Sequence, residues 1–403
     1  MMNFEQLGVA PCFIKCLEKR NIKTATDIQC KVIPSLSSGE SVFFTSATGT
    51  GKTFAYLLPL LTGLLEKERT NFAPYILIAA PTLELCSQIS SELDFLLEGS
   101  FLRSFLAIGS ISLDRQIENY KKAKPDIVVG NPNRLLLLAQ KKILKLNNLS
   151  SLIFDEADRL VSGEMIDDTA ELCSLIRKFA KTDKILLAAC SATINQKCVD
   201  KVSDVFFEEG QGREVKFIES EDNEILRDKI EHWAIFSEKR RKDQTLRSLL
   251  AAINTKKSHV KALVFISKGD EAALVLSRLQ YHHVPCSGLF GKIGKNQLSG
   301  AERKEALELF RNGSVDVLVS TDLAARGLDI PDITHVIALD VPSDSEVYIH
   351  RCGRTGRAGK RGIMVTIGDE TQMRLLASLE KKLKIRVNPK ELYMGKICVP
   401  QVE

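Results

Sequence analysis

The run Ser46-Ala47-Thr48-Gly49-Thr50-Gly51-Lys52-Thr53 places glycines and small residues directly before a lysine and a hydroxyl. It follows the β-branched and aromatic run 41–45 and precedes an apolar pattern from Phe54 to Leu61, so a strand should enter the loop and a helix should leave it. Gly49 and Gly51 free the backbone to turn N–H groups toward an anion at a helix N-terminus. Lys52 would reach the outer phosphates of that anion, and the Thr53 hydroxyl would ligate magnesium. About a hundred residues later, Asp155-Glu156-Ala157-Asp158 ends the apolar run Leu152-Ile153-Phe154. A buried parallel strand that ends in carboxylates delivers them to the sheet edge where ligands gather. There Asp155 would hold the hydrated magnesium, and Glu156 would orient or activate an attacking water. Together the two strings describe a nucleoside triphosphate site with its metal. Each alone has a plainer reading: a Gly-rich turn before a helix, or an acidic N-cap.

The chain has 403 residues, 44% of them hydrophobic, enough for two or three packed domains. Its formal charge of +5 is mild, so affinity for a polyanion must come from a local groove instead of a cationic tail. The ten cysteines show neither Cys-x-x-Cys spacing nor a histidine cluster beside them. That argues against a zinc site and fits core or bystander thiols in a reducing compartment. The first residues lack a basic segment followed by an apolar one, and no apolar stretch approaches the roughly 20 residues of a membrane span. A soluble cytoplasmic protein is the expectation.

Short apolar runs alternate with amphipathic stretches: 75–79, 126–129, 151–154 and 184–189, each followed by a polar or Gly/Pro-marked loop. This is the pattern of a parallel α/β sheet. It fades at the acidic stretch 219–224 and resumes at 232–236, 261–266, 315–319 and 335–339. Two similar α/β domains are expected, residues 1–218 and 227–403, joined by a linker over 219–226. The run Glu238 to Lys242 reads as a solvated helix face. Leu375, Leu376, Leu379 and Leu383 recur at helical spacing, which predicts a docked amphipathic helix.

In the second half, the strings Thr321 to Asp329 and Tyr348 to Gly359 hold Arg326, Arg351, Arg354 and Arg357 among glycines. Gly-bearing loops bring a guanidinium fork close to phosphates. The plainer reading is a surface salt-bridge cluster. The ordered set of Thr26 to Gln29, the phosphate loop, Pro81 to Leu85, Asp155 to Asp158, Ser191 to Thr193, Thr321 to Asp329 and His350 to Arg357 resembles the DEAD-box RNA helicases of superfamily 2. The resemblance runs from the first few residues to about residue 385. It implies two tandem RecA-like domains, each a parallel sheet flanked by helices, with ATP and Mg2+ as cofactors and RNA as partner.

Carried over by position, the resemblance makes Lys52, Asp155, Glu156, Arg354 and Arg357 catalytic, the two arginines as fingers delivered across a cleft. Thr48, Gly49, Thr50, Gly51, Lys52 and Thr53 match nucleotide-binding positions, and Thr53 and Asp155 match the metal-holding ones. Gln29 matches a glutamine that reads the adenine edge, Phe4 an aromatic residue that stacks on it, and Asp329 a ribose contact. Asp158, Ser191, Thr193 and His350 resemble the groups that couple nucleotide state to RNA. Thr82, Gly109, Pro132, Arg134, Arg303 and Thr321 match positions that hold the RNA backbone without reading sequence. The mechanism implied is closure of two mobile domains by ATP and RNA together, with local unwinding of short duplexes.

Departures from the family pattern fall unevenly. The ATP strings are nearly intact, with Ala25 for proline and Ser46 for alanine. The RNA strings are changed more: Leu83 for arginine, Ser110 for glycine, Asn131 and Asn133 in a Thr-Pro-Gly-Arg string, Lys268 for threonine, and Phe290 for histidine. The segment 292–302 is longer by about five residues and puts Gly300 near an expected glutamine. Losing a guanidinium from a phosphate contact should cost on the order of 1–3 kcal/mol, so one expectation is weakened or re-routed RNA binding with a retained ATPase, and the plainer one is neutral drift at loop positions that tolerate change. Two further functional classes remain at this stage: an ATP-gated RNA clamp or assembly scaffold, and a superfamily 2 DNA helicase, the latter disfavoured by the adenine-reading and His350 to Arg357 strings. Few residues flank the expected core, so RNA preference would come from its surface or from protein partners.

Overall fold

The computed structural model describes residues 2–46, 50–66, 73–182, 185–191, 196–207, 215–219, 229–254, 260–290, 300–325, 330, 332–356 and 360–400. The chain divides into two compact units, 1–221 and 222–403. Most of the expected linker, 220–226, lies outside the described residues.

In the first unit the strands are β1 Val42–Thr45, β2 Ile76–Ala79, β3 Ser104–Ala107, β4 Ile127–Gly130, β5 Ser151–Asp155, β6 Leu186–Ser191 and β7 Lys216–Glu219. They form one sheet in the order β3-β4-β2-β5-β6-β1-β7, and every pairing is parallel. Parallel strands need crossovers, and helices on both faces bury the sheet. Successive side chains therefore enter different cores: Val42 and Phe44 pack on one face, Phe43 on the other. Ile76 and Ile78 likewise oppose Leu77 and Ala79.

The second unit contains β8 Ile230–Phe236, β9 Ala262–Phe265, β10 Cys286–Leu289, β11 Val317–Ser320, β12 His335–Ala338, β13 Gly362–Gly368, β14 Val387–Tyr393 and β15 Lys396–Cys398. Their order is β10-β11-β9-β12-β13-β8-β14-β15, parallel except for the closing β14–β15 hairpin. Leu263 and Phe265 face one core, Ala262 and Val264 the other. The helix Glu370–Leu383 docks through Leu376 and Leu379, which are buried, while Leu375 is exposed. The basic run differs from expectation: Lys239–Arg241 form an exposed 3-10 turn, but Lys242 donates to the Leu339 carbonyl at 2.8 Å and to the Gln372 side chain. Among the described residues no helix is long and apolar enough to cross a membrane.

His335, at the start of β12, is buried, with Nδ1 2.9 Å from the Thr334 hydroxyl. Burial pushes its pKa down to about 4. The unfolded chain binds this proton near pH 6.5 and the folded chain does not, so the stability His335 contributes is present above pH 6.5 and lost as pH falls toward 4. A shift of this size corresponds to roughly 3 kcal/mol. Trp233, the single tryptophan, packs edge-on to His335 with ring centroids 6.4 Å apart and reports on this unit alone. Urea unfolding followed by Trp233 fluorescence at pH 7 and pH 4.5 should show a smaller acid loss for His335→Gln than for the natural chain; equal losses would remove His335 from the account.

Candidate active site

The phosphate loop leaves the carboxyl end of β1 and enters the helix Lys52–Leu65. Its N-cap, Gly51, has φ 89°, a left-handed conformation that favours glycine. A Cβ there would run into Nε2 of Gln29. Lys52 Nζ donates to the Ser46 carbonyl at 2.7 Å, which holds the cation over the loop. The Ser46 and Thr50 hydroxyls bond to each other across it. Thr48 and Gly49 lie outside the described residues, as do Thr193, Asp329 and Arg357.

Asp155 ends β5, two strands from β1 across β6, and is buried. Its Oδ1 accepts the Glu156 N–H at 3.0 Å and the Cys190 thiol at 3.2 Å, and its Oδ2 accepts the Tyr56 phenol at 2.9 Å. Burial, reinforced by the Asp155 charge, pushes the Tyr56 phenol well above its ordinary range and keeps it a donor. Glu156 has φ 52°, an uncommon conformation for a residue with a side chain. It occupies the N-cap position of the turn Ala157–Leu160, yet its carboxylate makes no cap bond. The plain N-cap reading of the acidic pair therefore fails, and strain of this kind marks functional positions. Arg159 Nη1 lies 3.7 Å from Glu156 Oε2. At the end of β6 the Ser191 hydroxyl donates to Asp158 at 2.5 Å, joining two of the expected coupling residues.

A carboxylate and a hydroxyl at the mouth of a phosphate loop fit a hard, oxygen-seeking cation. Among the described residues no three His, Cys, Asp or Glu side chains gather as a metal cage. Magnesium needs none, because it binds through one or two carboxylates and the substrate's own phosphates.

Gln29 is bound more tightly than the sequence suggests. Its Oε1 accepts the Thr26 N–H at 3.0 Å in a capping box, and its Nε2 donates to the Gly51 carbonyl at 3.0 Å. An amide has two donors and two acceptor positions, so one of each is left uncommitted while the others tie the motif to the phosphate loop; the residue as a whole is 2% exposed. Phe4 departs from expectation. Its ring is 2% exposed in the hydrophobic core and presents no open face for a base.

The expected RNA contacts of the first unit follow three adjacent strands, β3, β4 and β2. Gly109 follows β3 and Arg134 follows β4, and a Cβ at Gly109 would lie 3.8 Å from Arg134 Nη2. Pro132 opens the helix Pro132–Gln140 that carries Arg134. Among the described residues, Arg134 Nη1 and Asn131 Oδ1 are buried without a hydrogen-bond partner. Thr82 is buried and caps the helix Leu83–Leu96 by accepting the Leu85 N–H at 3.2 Å. Leu83 is half-buried against the core.

In the second unit Phe290, Thr321 and Lys268 follow the adjacent strands β10, β11 and β9. Phe290 is buried, Lys268 is exposed 3.4 Å from Glu271, and Arg303 lies on the helix Gly300–Arg311. His350 and Arg354 are buried, and Arg354 Nε donates to the His350 carbonyl at 3.2 Å.

Arg351 corrects the reading of all four arginines as phosphate-seeking groups. It lies on the helix Ser345–Cys352 and is 1% exposed. Its guanidinium binds both Asp322 oxygens at 2.6 and 2.7 Å, the Asp340 carboxylate and carbonyl at 2.8 Å each, and the Ser267 hydroxyl at 3.2 Å. The flanking glycines concealed this structural role; Asp322 and Asp340 were the missed signal.

A sequence model described as DEAD/DEAH box helicase matches residues 26–202, and one described as helicase conserved C-terminal domain matches 241–359. A DEAD-box ATP-dependent RNA helicase, CshC of Bacillus cereus, is 32% identical over 385 residues, 96% of this chain and 92% of that protein. The chain belongs to the DEAD-box helicase family. Among solved structures, the DEAD-box helicase Mss116 bound to single-stranded RNA and UDP-BeF is 25% identical over 98% of this chain and 81% of its own, with TM-score 0.87. Dbp5 of S. cerevisiae bound to RNA and ADP BeF3 shares the fold, with TM-score 0.82 at 24% identity over 97% of this chain and 96% of its own. The tandem RecA-like fold is thereby shown.

Within this helicase Arg351, itself buried, joins the strand ends of the second unit, and truncating it removes the shared partner of two half-buried carboxylates, Asp322 and Asp340. Arg351→Ala should destabilise that unit by about 3–5 kcal/mol, read from the urea midpoint of Trp233 fluorescence. A loss below about 1 kcal/mol, the worth of an exposed pair, would mean that the network is not structural.

Proposed function

We infer that this helicase hydrolyses ATP in a reaction that depends on RNA, and that it remodels short RNA duplexes by gripping the sugar–phosphate backbone. The observation that carries the reading is the carboxyl edge of the first sheet. There Lys52 follows β1 and Asp155 and Ser191 end β5 and β6, while Thr82, Gly109 and Arg134 follow the neighbouring β2, β3 and β4. The DEAD-box relative supports ATP and RNA as the ligands of that edge.

We assign Lys52 and the loop amides to the phosphates, the Gln29 amide to the base, and Thr53 and Asp155 to magnesium. Bound there, magnesium would neutralise charge on the outer phosphates. Glu156 orients the attacking water and takes its proton. Arg354 and Arg357 belong to the second unit and are assigned to the charge that develops on the transferred phosphoryl group. Asp158 with Ser191, and His350, relay nucleotide state to the RNA positions. Arg134, beside Gly109, supplies the backbone contact that the first unit retains; Leu83, packed on the core, supplies none. Protein partners are proposed to provide RNA preference, and a cytoplasmic location fits the free thiols.

Steady-state ATP hydrolysis should be stimulated by single-stranded RNA and much less by DNA of the same sequence. Glu156→Gln should lower the stimulated rate by about 10²–10⁴-fold, the range for a lost general base. Hydrolysis indifferent to RNA but sensitive to that mutation would favour the clamp or scaffold reading. Leu83→Arg should tighten RNA binding and steepen its dependence on log salt by about 0.7 for one added phosphate contact; an unchanged slope would show that this position does not face RNA.

A further inference from the structure

Two buried side chains with no assigned part in ATP hydrolysis hold the same carboxylate. Tyr56 lies one helical turn beyond Thr53, and Cys190 immediately precedes Ser191. Both are fully buried. The Tyr56 phenol donates to Asp155 Oδ2 at 2.9 Å.

The donor count fixes which oxygen of Asp155 stays available. An ionised carboxylate offers about four lone-pair positions, two on each oxygen. Oδ1 receives two donors, the Glu156 N–H and the Cys190 thiol. Oδ2 receives one, from Tyr56. The open acceptor position therefore lies on Oδ2, next to the phenol. The restraints come from the helix after the phosphate loop and from the strand that ends in Ser191.

We propose that Tyr56 and Cys190 are positioning residues that aim Asp155 Oδ2 at the magnesium accompanying ATP, and that they set the affinity for the metal while leaving that for the metal-free nucleotide unchanged. The proposal rests on the assignment of Asp155 to magnesium. Tyr56→Phe keeps the ring and removes the donor, and Cys190→Ala removes the second donor independently should the first variant fold poorly. Neither side chain reaches solvent, and the bond each makes at this site is to Asp155.

The test is a manganese titration, followed by electron paramagnetic resonance, of the full chain saturated with ADP. It is paired with ADP binding in chelator and with thermal melting. Tyr56→Phe should weaken manganese binding about 10–100-fold, the range for a lost outer-shell partner of a metal ligand. Cys190→Ala should weaken it less, and Cys190→Ser should restore it. ADP affinity in chelator should stay that of the natural chain. Manganese binding that Asp155→Asn weakens but Tyr56→Phe and Cys190→Ala leave intact would overturn the proposal and spare the metal assignment. Binding intact in Asp155→Asn would overturn both.

Discussion

Every strand of the first sheet runs the same way, so each loop that leaves a strand's carboxyl end opens onto one edge. Parallel pairing forces this, because the return path must be a crossover on a face of the sheet. The order β3-β4-β2-β5-β6-β1 then divides the edge in two. The residues proposed for phosphates and metal lie at the ends of β1, β6 and β5, and those proposed for an RNA backbone follow β2, β4 and β3. Two ligands on neighbouring strands of one rigid sheet need no long relay to influence each other. The Ser191 to Asp158 bond at 2.5 Å links the ends of β6 and β5 within the nucleotide half.

Burying charge at this edge is costly unless each group is satisfied, since an unpaired buried ion forfeits several kcal/mol of solvation. Asp155 takes three donors, and Lys52 folds back on the Ser46 carbonyl. In the second unit one arginine, Arg351, satisfies two carboxylates and joins the ends of β9 and β12 to the start of the Asp322 turn. Arg134 differs, because its Nη1 is buried without a partner among the described residues. Among such groups, an unsatisfied guanidinium donor beside a glycine is the one placed to gain most from a phosphate.

Much of this was legible in the chain. The stretches 76–79, 127–129 and 152–154 are β-branched or apolar throughout and became buried strands, because a strand covered on both faces can carry no alternation. The phosphate loop and the acidic string were legible because their chemistry tolerates few residue types. The strand β10 was not, since Cys286-Ser287-Gly288-Leu289 has weak strand propensity and is held by its neighbours. Nor was β14, where Pro389 argues against a strand. The structure accepts it because β15 pairs only with residues 391–393, so Pro389 has a partner on one side alone. Phe4, Gln29 and Arg351 show the limit at the level of sites. Residue type gave their capacity for stacking, base reading and phosphate binding, but long-range packing decided which groups were already committed.

If the shared edge governs function, nucleotide and RNA must bind with a common coupling free energy. The direct measurement is the dissociation constant for a fluorescent single-stranded RNA, by anisotropy, with a non-hydrolysable ATP analogue and magnesium, with ADP, and without nucleotide. The account predicts RNA binding tighter by about tenfold or more with the ATP analogue, within the usual range for coupled sites. Equal affinity in all three states would contradict it.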